Sequence, residues 1–179
     1  MIYGERIRLR SITRTDLPLF VEWLNDPEVT HGLVHYLPFS LEDEENWFEN
    51  MLKMPREEHP LMIDIRSEQG WEAIGDCAVF NIDWRIRQAE FGIVIGAKHH
   101  WNKGYGTEAL SLTIQHCFET LNLNRVYLRV YENNPRAQRA YEKAGMSIEG
   151  RMRQAHYDNG KYVDVILMSI LRSEWQENK

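Results

Sequence analysis

The chain has few cysteines and no apolar run of membrane length. Cys77 and Cys117 are its only cysteines, and each lies inside an apolar segment, so we expect two buried, reduced thiols rather than a disulfide framework. No stretch approaches the ~18 apolar residues of a membrane span. Residues 1–10 also lack the apolar centre of a signal peptide. The sequence therefore predicts a cytoplasmic location and no membrane partner.

Positive charge is also scarce in the first third of the chain. Residues 1–60 contain 12 Asp/Glu and 6 Lys/Arg, whereas residues 61–179 contain 15 of each. Nucleic-acid binding needs a basic face, so we predict no nucleic-acid partner. The acidity is compatible with a cationic substrate. Acidic residues in the first turn of a helix also complement its dipole, so both interpretations stay open.

The apolar periodicity predicts a single α+β domain over residues 1–179, in the order β-α-α-β-β-β-α-β-α-β-β. Ser40 with Asp43 forms a helix-capping pattern, Pro135 and Gly145 bracket a short helix, and residues 158–160 (Asp-Asn-Gly) indicate a hairpin turn. The first predicted strand contains Ile7 and Leu9. The other predicted strands are Leu61–Arg66, Trp71–Phe80, Glu90–Ile95, Arg125–Tyr131, Ser147–Ala155 and Tyr162–Ile170. The predicted helices are Leu17–Leu24, a segment after Ser40, Thr107–Thr120 and Pro135–Lys143.

A glycine-rich segment, Trp101-Asn102-Lys103-Gly104-Tyr105-Gly106-Thr107, opens the third predicted helix. Gly104 and Gly106 lack the Cβ atoms that would block a diphosphate, while the helix N-terminus and Lys103 favour negative charge. The pattern also fits a dinucleotide-binding fingerprint. That fingerprint should follow the first strand closely, whereas these glycines lie mid-chain and well beyond Ile95. An ordinary glycine-rich loop is the remaining alternative.

A second segment, Asn134-Pro135-Arg136-Ala137-Gln138-Arg139-Ala140-Tyr141-Glu142-Lys143-Ala144-Gly145, follows about 30 residues later. Together and in this order, the two segments resemble the GNAT superfamily of acetyl-CoA-dependent N-acetyltransferases. The C-terminal half most resembles the RimJ/RimL-like branch, which acetylates the N-termini of ribosomal proteins, in residues 150–153, 160–164 and 171–175. The resemblance implies a mixed, mostly antiparallel sheet with helices on both faces.

The resemblance also implies where acetyl-CoA binds. The strand residues Ile93, Val94 and Ile95 would offer backbone groups to the pantetheine arm and polarise the thioester carbonyl. Asn134 would bind the same arm, although it is also suited to cap the following helix. Trp101 stands where the family motif has Gln or Arg, which removes one phosphate donor. The cofactor-binding set is then Ile93, Val94, Ile95, Trp101, Asn102, Lys103, Gly104, Tyr105, Gly106, Thr107 and Asn134.

Two residues are candidates for the chemistry that the resemblance implies. Tyr141 would protonate the departing thiolate, because a phenol pKa near ~10 lies just above a thiol pKa near ~8.5. The alternative is a half-buried core tyrosine. Glu90 would take the proton of the amine through water, and the alternative is a carboxylate at a strand end. His31 and His35 are spaced four apart without cysteine ligands nearby, so we expect no metal.

The expected activity is acetylation of a primary amine by direct attack on the thioester. We expect the acceptor to be a peptide N-terminus or a small amine, with a polyamine as the alternative. A non-catalytic CoA-binding module is the alternative from another class. By analogy with the branch, we expect a possible homodimer.

Overall fold

The computed structural model describes residues 1–33, 37–68 and 70–177, which form an eight-stranded mixed sheet with helices against both faces. The strands are β1 (Ile2–Tyr3), β2 (Ile7–Ser11), β3 (Leu61–Ser67), β4 (Gly70–Asp83), β5 (Gln88–Ile95), β6 (Arg125–Tyr131), β7 (Ser147–Asp158) and β8 (Lys161–Leu171). The helices are α1 (Leu17–Leu24), α2 (Pro27–Thr30), α3 (Leu41–Met51), α4 (Tyr105–Gln115), α5 (Pro135–Lys143) and α6 (Arg172–Glu177).

This architecture confirms the predicted fold class and adds three short elements. β1 pairs with β2 at one edge of the sheet, and α6 ends the described chain. Pro27, three residues after the end of α1, begins α2, and Asp26 caps this helix by accepting a hydrogen bond from the Glu28 amide at 2.9 Å. The predicted 107–120 helix begins at Tyr105 and turns π-helical over residues 116–120. In the described part of the chain, no helix is long and apolar enough to cross a membrane.

Strand alternation separates two apolar cores. Ile63 and Ile65 belong to a core that also takes in α4 and the inner side of α5, whereas Met62 faces a second core under α1 and α3. Cys77 and Cys117 are buried free thiols in the first core, as the sequence predicts. Strand β5 contributes to both cores, so Ile93 and Val94 lie on opposite faces of the sheet.

The sheet opens between β5 and β6. Its strand order is β1-β2-β3-β4-β5-β6-β8-β7, and of the pairings between described strands only β5–β6 is parallel. That pairing runs from Gln88↔Arg125 to Glu90↔Tyr127 and then stops. Residues 91–95 therefore present backbone groups that no strand pairs on this side. α5 follows β6 directly and lies beside the opening.

Candidate functional site

A cavity of about 1200 Å³ occupies the opening between β5 and β6. Its walls come from β4, β5, the start of α4, helix α5 and the β7–β8 hairpin. Of the residues that the sequence predicts for the site, the cavity brings together Glu90, Ile93, Val94, Ile95, Trp101, Asn102, Gly104, Tyr105, Gly106, Thr107, Asn134 and Tyr141. Lys103 is exposed and does not line the cavity.

The glycine-rich loop reaches α4 through two left-handed residues. Asn102 has φ +62° and Gly104, the N-cap of α4, has φ +86°. Successive changes of backbone hand turn amide groups toward one point and make an anion-binding concavity. At Gly106 the protein leaves room, because an added Cβ would meet only Ile95 Cγ1 at 3.8 Å and Ile93 Cδ1 at 3.9 Å. Protein packing therefore does not require glycine at 106.

Arg6 supports this loop from behind, a contact that sequence reasoning did not find. Its Nη1 donates to the Lys103 carbonyl at 2.9 Å, and its Nε binds Glu108 Oε2 at 2.8 Å. The guanidinium also lies 4.8 Å from the centre of the Tyr105 ring. The partners lie 97 to 102 positions apart in the chain, so no local pattern signals the contact.

Trp101 anchors the loop to the sheet instead of offering a phosphate donor. Its indole N–H donates to the Ile95 carbonyl at 2.7 Å. The guanidinium of Arg136, on α5, lies 3.8 Å from the centre of the indole ring, within the range of a cation–π contact. Burial lowers the pKa of Arg136. The stack therefore holds a partly desolvated cation next to the loop. This cation lies beside Trp101, which stands where the motif of the resembling family has a Gln or Arg phosphate donor.

Tyr141 faces the same cavity from α5 and also packs against the larger core. Its hydroxyl makes no hydrogen bond to any described residue. Burial raises its pKa to about 12, and the nearby charge of Arg136 opposes this increase only in part. The phenol therefore holds its proton throughout the neutral range, as a group that later donates it must.

Asn134 performs the capping role that the sequence allows. Its Oδ1 accepts a hydrogen bond from the Ala137 amide at 3.1 Å, so the side chain caps α5. Its Nδ2 lies toward Gly32, where an added Cβ would approach it to 2.8 Å. Gly32, just after α2, therefore lies against the N-terminus of α5, and Asn134 lines the cavity there.

Glu90 is engaged in an ion pair. The residue is 4% exposed, and Arg129 binds both carboxylate oxygens, with Nε 2.7 Å from Oε1 and Nη2 3.0 Å from Oε2. Asn81 Nδ2 donates to Oε2 at 3.2 Å. This geometry favours the structural alternative for Glu90, because a carboxylate with both oxygens bound by a guanidinium is poorly placed to collect a proton.

Asp76 is a cavity residue that sequence reasoning missed. It lies on β4 opposite Met62 of β3 and Val94 of β5, on the face that α3 covers. Burial, together with the negative charge of Glu44 on α3, raises the pKa of this carboxyl to about 7. A signal was present in the sequence, because Asp76 is the single charged residue within the apolar run Ala73–Phe80.

A histidine cluster lies beside the loop. Glu72 Oε1 is 3.2 Å from His99 Nε2 and 3.0 Å from His100 Nε2, and the three ligand atoms lie within 4.8 Å of one another. The hydrogen bonds from His100 and His99 lower the pKa of Glu72. Hydrogen bonding explains this cluster without an ion. Of the earlier histidine pair, His31 lies 3.7 Å from Asp158, and His35 is outside the described residues.

Comparison with known proteins identifies the family. A model of the acetyltransferase (GNAT) domain matches residues 6–147. The chain belongs to the GNAT acetyltransferase family. It is therefore an acyltransferase that moves an acetyl group, and its eight-stranded sheet is the GNAT fold.

Relatives of this GNAT protein match it along nearly its whole length. The uncharacterized N-acetyltransferase p20 of Bacillus licheniformis is 28% identical over 97% of both chains. The spermidine N(1)-acetyltransferase of Vibrio cholerae is 29% identical over 96% of both. A crystal structure of the Vibrio cholerae enzyme in complex with CoA and spermine has a TM-score of 0.86 at 27% identity, covering 97% of this chain and 99% of that one.

Proposed function

We propose that this GNAT protein transfers the acetyl group of acetyl-CoA to a primary amine of a polyamine. The observation that carries the proposal is the full-length likeness to a spermidine N-acetyltransferase that was solved with CoA and spermine. The preference for a peptide N-terminus, which rests on resemblance to the RimJ/RimL-like branch, becomes the second choice. The characterised enzyme described above is named for spermidine and not for a peptide.

The cavity fits acetyl-CoA at its α4–α5 end. Backbone amides of the glycine-rich loop and the N-terminus of α4 would hold the diphosphate, with Arg136 as the nearest cation of the wall. The unpaired edge of β5 over residues 91–95 would bind the pantetheine arm by strand-like hydrogen bonds. Positive side chains line this end on α5: Arg136, Arg139 and Lys143.

The proposed reaction needs a group that protonates sulfur. The neutral amine attacks the thioester carbonyl, and the carbon–sulfur bond breaks as the tetrahedral intermediate collapses. Tyr141 donates its phenolic proton to the departing sulfur, and the nitrogen returns a proton to the phenolate through solvent. Because burial holds the pKa of Tyr141 near 12, the phenol enters each cycle protonated.

The other end of the cavity offers negative charge to an acceptor. The unpaired Asp76 lines it together with Glu28, which Lys98 binds, and α2 and α3 belong to the acidic first third of the chain. A polyamine carries several ammonium groups, whereas a peptide presents a single α-amine. Concentrated negative charge would raise the local concentration of a polycation more strongly than that of a peptide terminus.

An acceptor panel tests this proposal directly. Release of free CoA is measured with spermidine, spermine, putrescine, lysine, an aminoglycoside and unblocked peptides. We expect kcat/KM for spermidine or spermine to exceed that of every peptide at least tenfold. A peptide that turns over faster would restore the N-terminal acceptor. Tight binding of acetyl-CoA without transfer to any amine would indicate a non-catalytic module.

A homodimer also remains a prediction. Strand β7 is the outer strand of the sheet and, with β8, exposes large apolar side chains, including Ile148 at 57%, Tyr157 at 60% and Tyr162 at 66%. An exposed, partly apolar edge strand is a surface that a second copy could cover. Light scattering coupled to gel filtration distinguishes a 21.3 kDa monomer from a dimer.

A further inference from the structure

Asp76 differs from the other described acidic residues that line the cavity, because no cation binds its carboxylate. Three acidic residues line the cavity, and two of them are paired: Glu28 with Lys98, and Glu90 with Arg129. The Asp76 carboxylate makes no hydrogen bond or ion pair with any described residue, although its backbone pairs with β3 and β5. The Asp76 side chain is partly buried and faces the cavity with no partner for its charge. Because such a carboxylate is costly to ionise, a ligand or a reaction is a natural reason to keep it.

The negative charge of Glu44, on α3, makes Asp76 still harder to ionise. Glu44 is 3% exposed on the inner face of α3, and it too has no hydrogen-bond or ion-pair partner among the described residues. Its charge acts directly on Asp76. The pair therefore joins an acidic side chain that faces the cavity to a buried residue of α3, a helix that contributes to the apolar core on the same face of the sheet.

Glu90 and Asp76 lie on the same face of the sheet but at different depths. Phe80 pairs with Glu90 and Asp76 pairs with Val94, four residues farther along β5. Four residues of extended strand span roughly 13 Å, so one amine cannot contact both carboxylates. Asp76 lies beside the part of β5 whose backbone edge is unpaired, whereas Glu90 lies at the closed end where β5 still pairs with β6.

Resting on the acetyl transfer proposed above, we propose that Asp76 takes the proton that the acceptor ammonium must lose, and that Glu44 is a positioning residue acting through Asp76. The ionised Asp76 carboxylate first attracts the ammonium group and then accepts one of its protons. The resulting neutral amine attacks the thioester carbonyl. The second proton of the nitrogen replaces the one that Tyr141 gives to sulfur, and Asp76 releases its own proton to water.

The chemistry explains why an ordinary carboxylate would serve less well. An alkyl ammonium has a pKa near ~10.4, and an unperturbed aspartate near ~3.9, a gap of about six units. Burial, with the Glu44 charge added, brings the pKa of Asp76 to about 7 and roughly halves that gap. A base that titrates near the working pH is both ionised and basic in a useful fraction of molecules.

The charged groups around Asp76 are few. Glu44 on α3 faces it, and the residues opposite it on β3 and β5 are Met62 and Val94, which carry no charge. The cations that line the cavity are tied elsewhere or stand on α5, away from β4: Arg129 binds Glu90, and Arg136 stacks on Trp101. The pH dependence of the site should therefore follow the Asp76–Glu44 pair.

The test is the pH profile of kcat/KM for the best acceptor, with acetyl-CoA affinity measured in parallel. In the wild-type protein we expect a tenfold fall for each pH unit below about 7. Asp76→Asn should lose about 10²-fold at pH 7, the usual scale for one acid–base group. Its residual rate should keep rising toward the pKa of the amine, without a break near 7. Acetyl-CoA affinity should stay within twofold.

Matched variants separate a chemical role from a structural one. Glu44→Gln should move the break to lower pH by up to about one unit, since a like charge is removed. Asp83→Asn on the same strand and Glu45→Gln on the same helix should reproduce the wild-type profile. If Asp76→Asn does not fold, the Glu44→Gln profile decides, because that variant keeps Asp76.

The outcomes are distinguishable. An Asp76→Asn variant with the wild-type rate and the wild-type break overturns the inference while leaving the acetyl transfer intact. An unchanged break in Glu44→Gln removes Glu44 from the inference and, where Asp76→Asn does not fold, overturns the inference as a whole. Wild-type protein that transfers acetyl to no amine at any pH overturns the proposed function itself.

Discussion

Arg129 binds both carboxylate oxygens of Glu90, at 2.7 and 3.0 Å, across the last paired residues of β5 and β6. The contact closes the narrow end of the opening in which the cavity lies. Hydrogen bonding to Glu90 raises the pKa of Arg129. The pair thus joins the two strands at the point where they begin to diverge, and this geometry favours a structural role for Glu90.

Glu90→Gln should therefore act mainly on stability. The variant keeps a hydrogen-bond acceptor but removes the charge that Arg129 binds. Because the Arg129 side chain is 52% exposed, solvent screens the loss, and we expect a cost of about 1–2 kcal/mol in the free energy of unfolding. Urea denaturation measures it. A Glu90→Gln variant of unchanged stability that loses most of its rate at pH 7 would instead return Glu90 to the role of base.

A substitution at Gly106 tests the phosphate loop, because it should change acetyl-CoA affinity without lowering the stability of the fold. An added Cβ meets only ordinary contacts there, so Gly106→Ala should leave the free energy of unfolding unchanged or slightly higher. The same methyl group would crowd a bound diphosphate, and acetyl-CoA affinity should fall about tenfold, or about 1.4 kcal/mol. Calorimetry that gives wild-type affinity would argue against this loop as the diphosphate site.

Gly104→Ala provides the contrasting case. Its φ of +86° disfavours any side chain, so we expect a loss of about 1 kcal/mol in stability in addition to weaker binding.

Arg136→Ala should weaken acetyl-CoA binding through charge. The guanidinium above Trp101 is the cation of the cavity wall that contacts the loop, so its removal should raise Kd about fivefold or more at low salt. The difference should shrink as ionic strength increases. Arg153→Ala, which removes one positive charge from exposed β7, is the control for net charge. Equal effects of the two variants would show that Arg136 acts only through overall charge.

Asp76→Asn should stabilise the fold at alkaline pH. A carboxyl whose pKa is raised on folding holds its proton longer in the native state, so the native state loses stability relative to the unfolded state as pH rises from about 4 through about 7. Asparagine carries no such penalty. We expect a gain of at most about 4 kcal/mol above pH 8, from a pKa raised by about three units at about 1.36 kcal/mol each, and no gain below pH 4. A variant less stable than wild type at pH 8 would show that Asp76 has a stabilising partner.

Much of the fold follows from local sequence signals. The Ser40–Asp43 capping box, Pro135 at the start of α5 and the Asp158-Asn159-Gly160 turn all act within a few residues, and each lies where it was predicted. The loop from Trp101 to Thr107 was likewise predictable because two glycines and a helix start occur together. The remaining features of the site depend on contacts between distant segments.

Those long-range contacts explain the residues that sequence reasoning missed or misjudged. The partner of Glu90 lies 39 positions away, so its ion pair was invisible and the residue looked like a free carboxylate. Glu44 belongs to a run of acidic residues that complements a helix dipole, and only the packing of α3 on β4 shows that it faces Asp76. The role of Arg6 behind the loop was hidden for the same reason.

The most direct test of the account is the turnover of spermidine by Tyr141→Phe compared with wild type. The hydroxyl acts on the departing sulfur, so we expect kcat to fall about 10²-fold while the Kd for acetyl-CoA stays within twofold. A folded variant with an unchanged kcat would contradict the account. Tyr141 would then be a core residue, and the cavity would need another acid.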